Sequence, residues 1–358
     1  MWKLLSPALA AALALVTPSL AATAGPRARP VAQNALDGVF AAFQRRPVVL
    51  LSDAHHLAQA GALYAALVRD PRFAREVGNV VVEFGGAAHQ DTIDRFVNGE
   101  SVPYVELRRV WTDLVGAETP ASQMYSSFFA VVRQVNARLP PDRRIRVWLG
   151  EPPIDWTKLH SFDDLDPLMT QRDSYPAGLV DHDILARGRK ALVIYGGAHF
   201  LFSPMGAGKD MRSMIERAHP GSTYLIVPYF GYAKGGCSQQ VEARSWKSPA
   251  LVAPIAGTWL APMMRRCANA TGFHSPDPAR VAQFRIALSG ASADALLYLG
   301  PSASLVWDAA DPSLYLDPDF VAEWNRTRLC CLPPEAVKID PDQVLGDNTG
   351  VPRSYPPQ

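Results

Sequence analysis

The sequence predicts an α/β fold: a mostly parallel central sheet flanked by helices, with a helical insertion. Residues 47–51, 79–83 and 191–195 are short, continuous apolar runs without alternation, typical of parallel strands that are covered on both faces. Residues 57–68, between the first two runs, have the apolar spacing of a helix. This order matches a strand–helix–strand unit, and its repetition along the chain indicates an α/β architecture.

The remaining elements follow in the same alternation. Further helices are predicted at residues 35–43, 125–139, 175–187 and 211–218, and further strands at 144–149, 223–227 and 295–299. Strand signals lapse over about 90–140, which predicts a helical insertion. Residues 231–290 are rich in Gly, Ser, Pro and Cys and are interpreted as a looped excursion. Because no linker interrupts the pattern, residues 35–358 are predicted to form a single domain.

The amino terminus has the pattern of a secretory signal peptide. Lys3 precedes an apolar stretch at residues 4–16, and Ala22-Thr23-Ala24 offers a cleavage site, so 1–24 is predicted to be removed. Residues 25–34 are rich in Pro, Ala and Arg and are predicted to be a flexible leader. No later segment reaches about 18 uninterrupted apolar residues, so no integral membrane segment is expected after cleavage. The mature protein is expected to be secreted or periplasmic.

The charge balance narrows the class of partner. The chain of 358 residues carries 35 Lys and Arg against 34 Asp and Glu, which gives no electrostatic signature for nucleic acid. A small-molecule or peptide substrate is expected instead.

Export permits disulfides. Cys237 and Cys267 are a plausible pair, and one of Cys330 and Cys331 is expected to pair elsewhere, although spacing leaves the connectivity open. No paired Cys-x-x-Cys indicates a structural zinc site.

Ionisable residues gather at the ends of several predicted strands, where ligands bind in open α/β sheets. They are Asp53, His55 and His56 after the first strand, Glu83 on the second, Glu151 after a later one, and His199 after the run at 191–195. Each strand end alone is weak evidence for a site. Asp53, for example, could instead cap the helix that begins near Leu57. Their coincidence predicts one polar site.

These groups permit two kinds of chemistry. A histidine beside carboxylates can act as a general base near neutral pH. His55, Glu83 and His199 could alternatively hold a divalent metal. The chain has no Gly-x-Ser-x-Gly elbow, no Walker loop and no Gly-x-Gly-x-x-Gly after the first strand, so the common serine-hydrolase and nucleotide-binding patterns are not supported.

At these residues the chain resembles the superfamily that joins erythromycin esterases, ChaN-like haem-binding proteins and TIKI/TraB proteins. The family pattern has a strand ending in Gly-Glu-x-His or Gly-Glu-x-x-His, a Glu after the next strand, an Arg-Asp pair before a helix, and a late Gly-x-x-His. The corresponding motifs here are residues 52–56, 81–85, Arg172-Asp173 and 196–199. The likeness covers roughly residues 45–230. Ser52 and Asp53 replace the usual Gly-Glu, and the tandem histidines leave two registers, of which the shorter spacing selects His55.

The resemblance implies three functions that share one set of site residues. In an esterase-like protein, His55 or His56 would deprotonate water, Glu83 would assist, Arg172 would stabilise an oxyanion or bind a substrate carboxylate, and His199 would orient water or donate a proton. A TIKI-like protein would be a metal-dependent protease. A ChaN-like protein would bind haem or iron without catalysis, with Tyr195 as a candidate ligand. An exported hydrolase is the leading hypothesis and haem or iron binding the alternative, while Arg172-Asp173 could also be a surface ion pair or the start of a helix.

Overall fold

The computed structural model describes residues 29–116, 122–203, 205–268, 278–334, 338–346 and 353–357. The predicted signal peptide, residues 1–24, lies outside the described residues. None of the helices that the structure describes has the length and apolar composition needed to cross a lipid bilayer.

The described strands form one sheet of eight, in the order β1-β7-β8-β6-β2-β5-β3-β4. Their bounds are Val31–Asn34 (β1), Val48–Asp53 (β2), Asn79–Gly86 (β3), Arg146–Glu151 (β4), Ala191–Gly196 (β5), Thr223–Tyr229 (β6), Ala250–Ala253 (β7) and Ala295–Tyr298 (β8). The six strands from β8 to β4 are parallel, and β7 and β1 are antiparallel to their neighbours. The predicted mostly parallel α/β fold is confirmed.

Helices cover both faces of the sheet. They are α1 Ala35–Phe43, α2 Ala58–Arg69, α3 Pro71–Glu76, α4 Gln90–Val97, α5 Tyr104–Leu107, α6 Arg109–Thr112, α7 Gln123–Asn136, α8 Phe162–Met169, α9 Ser174–Gly178, α10 Ala198–Leu201, α11 Met211–Ala218, α12 Cys237–Glu242, α13 Leu260–Cys267, α14 Pro278–Leu288, α15 Pro312–Tyr315, α16 Pro318–Arg328 and α17 Pro341–Gly346. A π-helical segment, Leu179–Ile184, continues α9. The stretch at 90–140 holds α4 to α7 and no strand among its described residues.

Continuous apolar strands arise because both faces of the sheet are buried. Successive residues of β2 point alternately to the two sides, so Val49 and Leu51 join one hydrophobic cluster while Val48 and Leu50 join the other. All six residues of β2 are buried. A strand in this position has no solvent face, and therefore no polar alternation. Its first ionisable residue, Asp53, stands at its very end.

The predicted flexible leader is wrong from Val31 onward. Val31–Asn34 form β1, which pairs antiparallel with β7 at the edge of the sheet. The Asn34 side chain then caps α1 by accepting hydrogen bonds from the backbone N–H groups of Leu36, at 3.0 Å, and Asp37, at 3.4 Å. Backbone pairing and this cap order the segment, although its exposed side chains carry no apolar signal.

The excursion predicted at 231–290 contains regular structure as well as loops. It holds α12, β7, α13 and α14, and β7 lies within the sheet between β1 and β8. The predicted Cys237–Cys267 disulfide is present, with the Cα atoms 5.8 Å apart, and it joins α12 to α13. A strand of four residues is too short to stand out from its Gly- and Pro-rich surroundings.

The second disulfide corrects the expectation that one of the adjacent cysteines pairs elsewhere. Cys330 and Cys331 are bonded to each other. Once Cys237 and Cys267 are joined, each of the remaining two cysteines has its neighbour as the one other thiol of the four.

Candidate active site

Four neighbouring strands bring their carboxyl ends to one edge of the sheet. In the order β2-β5-β3-β4 they run parallel, so residues near their ends meet. Asp53 on β2 is in register with Gly196 on β5. Glu83 lies in the second half of β3, Glu151 ends β4, and His199 lies in α10, directly after β5. The predicted ionisable residues therefore come from adjacent strands.

Asp53 anchors His55 on one side of this edge. The buried Asp53 carboxylate accepts hydrogen bonds from the hydroxyl of Tyr64, at 2.5 Å, and from that of Tyr125, at 2.7 Å. His55 Nδ1 lies 3.0 Å from Asp53 Oδ2. Asp53 thus contacts α2, α7 and His55 at once. The alternative of a helix cap is wrong, because Leu57 occupies the cap position of α2 and no side chain bonds there.

The partners of His55 orient its ring. A carboxylate only accepts hydrogen bonds, so the hydrogen on Nδ1 points toward Asp53 and Nε2 is turned toward the polar centre. Nε2 lies 3.9 Å from Glu83 Oε2, and 34% of the His55 side chain is exposed. This nitrogen therefore faces the polar centre from a ring that solvent reaches.

His56 turns away from that centre. Its backbone adopts a positive φ of 62°, and its ring stacks on Trp307 with centroids 5.1 Å apart. Its carbonyl accepts a hydrogen bond from the Asp308 N–H at 2.7 Å. Of the two tandem histidines, the structure brings His55 to the carboxylates and places His56 against the carboxyl-terminal part of the chain.

Glu83 lies at the centre of the charged cluster. Its Oε1 is 2.9 Å from Arg172 Nη2 and 3.2 Å from His199 Nε2, and its Oε2 accepts the Gly196 N–H at 2.5 Å. Burial raises the pKa of Glu83, but His199, His55 and Arg172 outweigh it and hold this pKa well below its usual range. Glu83 is therefore an ionised anchor, poorly suited to accept a proton near neutral pH.

His199 is held as a cation. Its Nδ1 lies 2.6 Å from Asp173 Oδ1, and its Nε2 faces Glu83. Two carboxylate acceptors require a hydrogen on both ring nitrogens. Burial lowers the pKa of His199, but Glu83 and Asp173 more than compensate and raise it to about 9. At neutral pH this residue can donate a hydrogen bond or a proton but cannot act as a base.

Arg172 joins two buried carboxylates. Its Nε lies 2.9 Å from Glu151 Oε1, while Nη2 reaches Glu83. Burial raises the pKa of Glu151 despite the nearby guanidinium, and the two glutamates together raise the pKa of Arg172 against the effect of its own burial. Arg172 is not the surface ion pair that the sequence left open. Among the described residues none accepts a hydrogen bond from its Nη1.

Tyr195 lies beneath the site. It is wholly buried, its ring stacks edge-on against His199 with centroids 5.4 Å apart, and its hydroxyl has no hydrogen-bond partner among the described residues. A Cβ on Gly150 would come within 2.2 Å of that hydroxyl, so the glycine is needed to accommodate the ring. This burial argues against the cofactor-ligand role that the sequence suggested for Tyr195.

A glycine also keeps the centre of the site open. A Cβ at Gly196 would lie 2.8 Å from His55 Nε2 and 3.3 Å from Glu83 Oε2. Any side chain there would displace His55 or Glu83. The glycine at the end of β5 thus has a steric reason at this position, beyond any need for backbone freedom.

The predicted metal ligands do not form a metal centre. Among the described residues, no group of three or more His, Cys, Asp or Glu side chains is arranged to hold a metal ion. His199 directs both nitrogens to carboxylates, and Glu83 Oε1 is shared by two cationic groups. The donor set of His55, Glu83 and His199 is thus committed to ion pairs and does not fit a divalent metal.

Four further residues complete the site. Glu151 and Asp173 were named in the sequence, at a strand end and in the Arg172-Asp173 motif, but their roles as carboxylate partners of Arg172 and His199 were not predicted. Tyr64 and Tyr125 had no signal, because each lies on the buried face of a helix where aromatic residues are common. Only the fold shows that both hydroxyls reach Asp53.

Comparisons with known proteins give limited likeness. No family model matches the chain. It is 26% identical over 250 residues to methylphloroacetophenone synthase of Cladonia uncialis, a stretch that covers 67% of this chain and 9% of that protein. The chain therefore spans a small part of the length of this curated relative.

Three solved structures are similar in fold. The type III effector HopBA1 has a TM-score of 0.39 at 11% identity, covering 76% of this chain and 96% of that one. A Bacillus cereus protein has a TM-score of 0.44 at 12% identity, with coverage of 74% and 91%. ChaN of Campylobacter jejuni, solved with cofacially bound haem, has a TM-score of 0.34 at 12% identity, with coverage of 55% and 87%. Function must therefore be argued from the site itself.

Proposed function

We propose that this protein is an exported hydrolase of the erythromycin-esterase-like type, and not of the metal-dependent TIKI-like type, which cleaves an ester or amide bond with His55 as general base. One observation carries the proposal. His55 is fixed through Nδ1 to the buried Asp53, while its ring remains 34% exposed beside a cationic cluster. A neutral, oriented and accessible histidine is what activation of water requires.

The reaction follows from the protonation states. His55 Nε2 takes a proton from a water molecule, and the water oxygen attacks the carbonyl carbon of the substrate. The carbonyl oxygen gains negative charge, which Arg172 Nη1 and the His199 imidazolium stabilise. The carbon–oxygen or carbon–nitrogen bond then breaks, and the proton held by His55 passes to the leaving alcohol or amine. Acid and alcohol, or acid and amine, are the products.

The buried carboxylates prepare the cations for this step. Glu83 and Glu151 hold Arg172, and Glu83 and Asp173 hold His199. Each cation is therefore oriented before substrate arrives, so little reorganisation accompanies the development of charge. In this scheme Glu83 is a positioning residue.

The alternative function, haem or iron binding without catalysis, rests on the sequence resemblance alone. Haem iron needs a histidine, tyrosine, cysteine or methionine at an open face. Tyr195 has no exposed surface, and His199 has both nitrogens bound to carboxylates, so His55 is the exposed ring among these candidates. Because the contact with Asp53 orients His55 as a general base requires, the hydrolase is the better-supported proposal.

The decisive experiment measures hydrolysis by the purified protein with p-nitrophenyl acetate, p-nitrophenyl butyrate and an unstructured peptide as probes. We expect turnover that falls about 10²- to 10⁴-fold in kcat for His55→Ala. His182→Ala is the matched control, because the His182 side chain is 78% exposed, and it should keep wild-type activity. Circular dichroism verifies that both variants are folded.

Two further measurements separate metal-independent hydrolysis from haem or metal binding. Titration with haem should produce no stoichiometric Soret band, and a chelator should leave turnover unchanged. Absence of turnover together with a Soret band would establish the binding protein instead. Turnover retained in His55→Ala would contradict the assignment of the base.

A further inference from the structure

A second polar cavity lies at the opposite edge of the sheet, where the strands begin. Its volume is about 670 Å³, within the range of small-molecule sites. It is lined by the starts of β3 and β4, by residues 188–190 before β5, and by the ends of α3 and α4. We call it the amino-edge groove. None of the residues assigned to the active site contributes to it.

The amino-edge groove is strongly cationic in a chain that is nearly neutral. Six of its lining residues are basic and three are acidic, against a formal net charge of +1 for the whole chain. The basic residues are Arg75, Arg143, Arg144, Arg146, Arg189 and Lys190. Within the described part of the chain, ion pairs engage Arg75 with Glu76 and Arg146 with Asp94. Such an excess of positive charge favours an anion.

Three arginines of the groove have no carboxylate partner among the described residues. Arg143, Arg144 and Arg189 make no ion pair with any described residue, and Arg144 Nη1 bonds to the Asn98 carbonyl groups instead. In addition, the Nε atoms of Arg144 and Arg146 are buried without a hydrogen-bond partner among the described residues. Buried donors are normally satisfied, so these two positions lack an acceptor.

The groove is built on a rigid base. The buried Asn79 donates to the carbonyls of Val77, at 3.3 Å, and Lys190, at 3.0 Å, and accepts from the Trp148 indole at 3.1 Å. It thereby ties together the three segments that lead into β3, β5 and β4. Arg146 in turn lies over the Trp148 ring at 3.7 Å.

A second buried asparagine fixes the arginine-bearing wall. Asn136 accepts the Ile145 N–H at 2.8 Å and donates to the Ile145 carbonyl at 2.9 Å and to the Val97 carbonyl at 3.3 Å. Ile145 stands between Arg144 and Arg146, so both arginines are held on a fixed backbone. A prearranged set of charges loses little entropy when it binds a ligand.

We infer that the amino-edge groove binds a small, multiply charged phosphate anion. Guanidinium groups match phosphate oxygens in geometry and form paired, charge-assisted hydrogen bonds with them. The chemistry of the groove is independent of the proposed hydrolysis, because it uses other residues at the other edge of the sheet. The competing explanation is that the cations only offset the negative ends of α3 and α4.

The test is a calorimetric titration of the purified protein with inorganic tripolyphosphate in a buffer of low ionic strength. Wild-type protein should bind one equivalent. The double variant Arg143→Ala/Arg189→Ala should bind at least about tenfold more weakly, because it loses two charge-assisted donors. Both side chains are exposed, so the fold is expected to survive the change.

Two control variants make the result decisive. Arg265→Ala removes an exposed arginine of α13, outside the groove, and His55→Ala alters the active site. Both should bind tripolyphosphate with wild-type affinity. The inference is overturned if wild-type protein does not bind, if Arg265→Ala weakens binding as much as the double variant, or if His55→Ala abolishes it. The last result would place the anion in the active site.

Discussion

The two edges of the sheet use charge in opposite ways. At the carboxyl edge, Arg172 and His199 are mostly buried, and each contacts two carboxylates. At the amino edge, Arg143 and Arg189 are exposed and contact no described carboxylate. A buried charge must be compensated within the protein, whereas an exposed charge can rely on water until a ligand arrives.

This contrast separates residues that hold a site from residues that recognise a ligand. Removing one member of the buried network leaves an uncompensated charge in a poorly solvated place. Removing an exposed arginine leaves nothing unsatisfied. Stability measurements and binding measurements should therefore respond to different edges of the same sheet.

Glu83→Gln should show the largest effect. The amide cannot compensate Arg172 and His199, and its nitrogen would meet either these cations or the Gly196 N–H. We expect the free energy of unfolding to fall by about 3 kcal/mol, which is typical of a broken buried ion pair. Urea denaturation of the variant and the wild-type protein measures the difference.

Arg189→Ala is the matched control at the amino edge. It removes a charge of similar size without breaking an ion pair, so its unfolding free energy should stay within about 0.5 kcal/mol of the wild-type value. Equal decreases in unfolding free energy in Glu83→Gln and Arg189→Ala would show that the charges at the two edges do not differ in their contribution to stability.

His199 should make stability depend on pH in the alkaline range. Its folded-state pKa is raised to about 9, above the ordinary histidine value near 6.5. A raised pKa contributes stability that is complete below about pH 6.5 and is lost as the pH rises through about 9. We expect a loss on the order of 3 kcal/mol across this window, since each pKa unit corresponds to about 1.4 kcal/mol.

The check is urea unfolding at several pH values for the wild-type protein, His199→Gln and His160→Gln. His160 is exposed and serves as the control. The decrease in unfolding free energy with rising pH should disappear in His199→Gln and persist in His160→Gln and the wild-type protein. An identical decrease in His199→Gln would assign the pH dependence to other groups.

Much of the fold could be predicted because local patterns determine it. Buried parallel strands such as 47–51 and 191–195 have a continuous apolar composition that is visible in the sequence. Val31–Asn34 and Ala250–Ala253 escaped prediction for the opposite reason: these strands are short, and their stability comes from pairing with distant segments. Pairing partners cannot be identified from local composition.

The site residues divide in the same way, into those that local sequence identifies and those that depend on distant contacts. Asp53, Glu83 and His199 could be predicted because they interrupt apolar strands or follow them directly. The shorter family spacing favoured His55 over His56, whereas the positive φ at His56 cannot be deduced from its residue type. Tyr64 and Tyr125 could not be predicted, since their side chains reach Asp53 only after α2 and α7 have packed on the sheet.

Tyr64→Phe should show the smallest effect on stability. It tests whether Asp53 influences the basicity of His55, the proposed general base. Burial and the neighbouring Asp53 raise the pKa of Tyr64 well above its ordinary value, so its hydroxyl stays protonated and remains a donor. Replacing it removes one of the bonds to Asp53 and should reduce the free energy of unfolding by about 1 kcal/mol. The carboxylate then interacts more strongly with His55, so the acid limb of the pH–rate profile should move to higher pH while kcat on the plateau stays within about tenfold of wild type. Tyr224→Phe, which removes a hydroxyl that bonds to no described residue, should change neither quantity. An unmoved acid limb in Tyr64→Phe would show that Asp53 positions His55 without tuning its basicity.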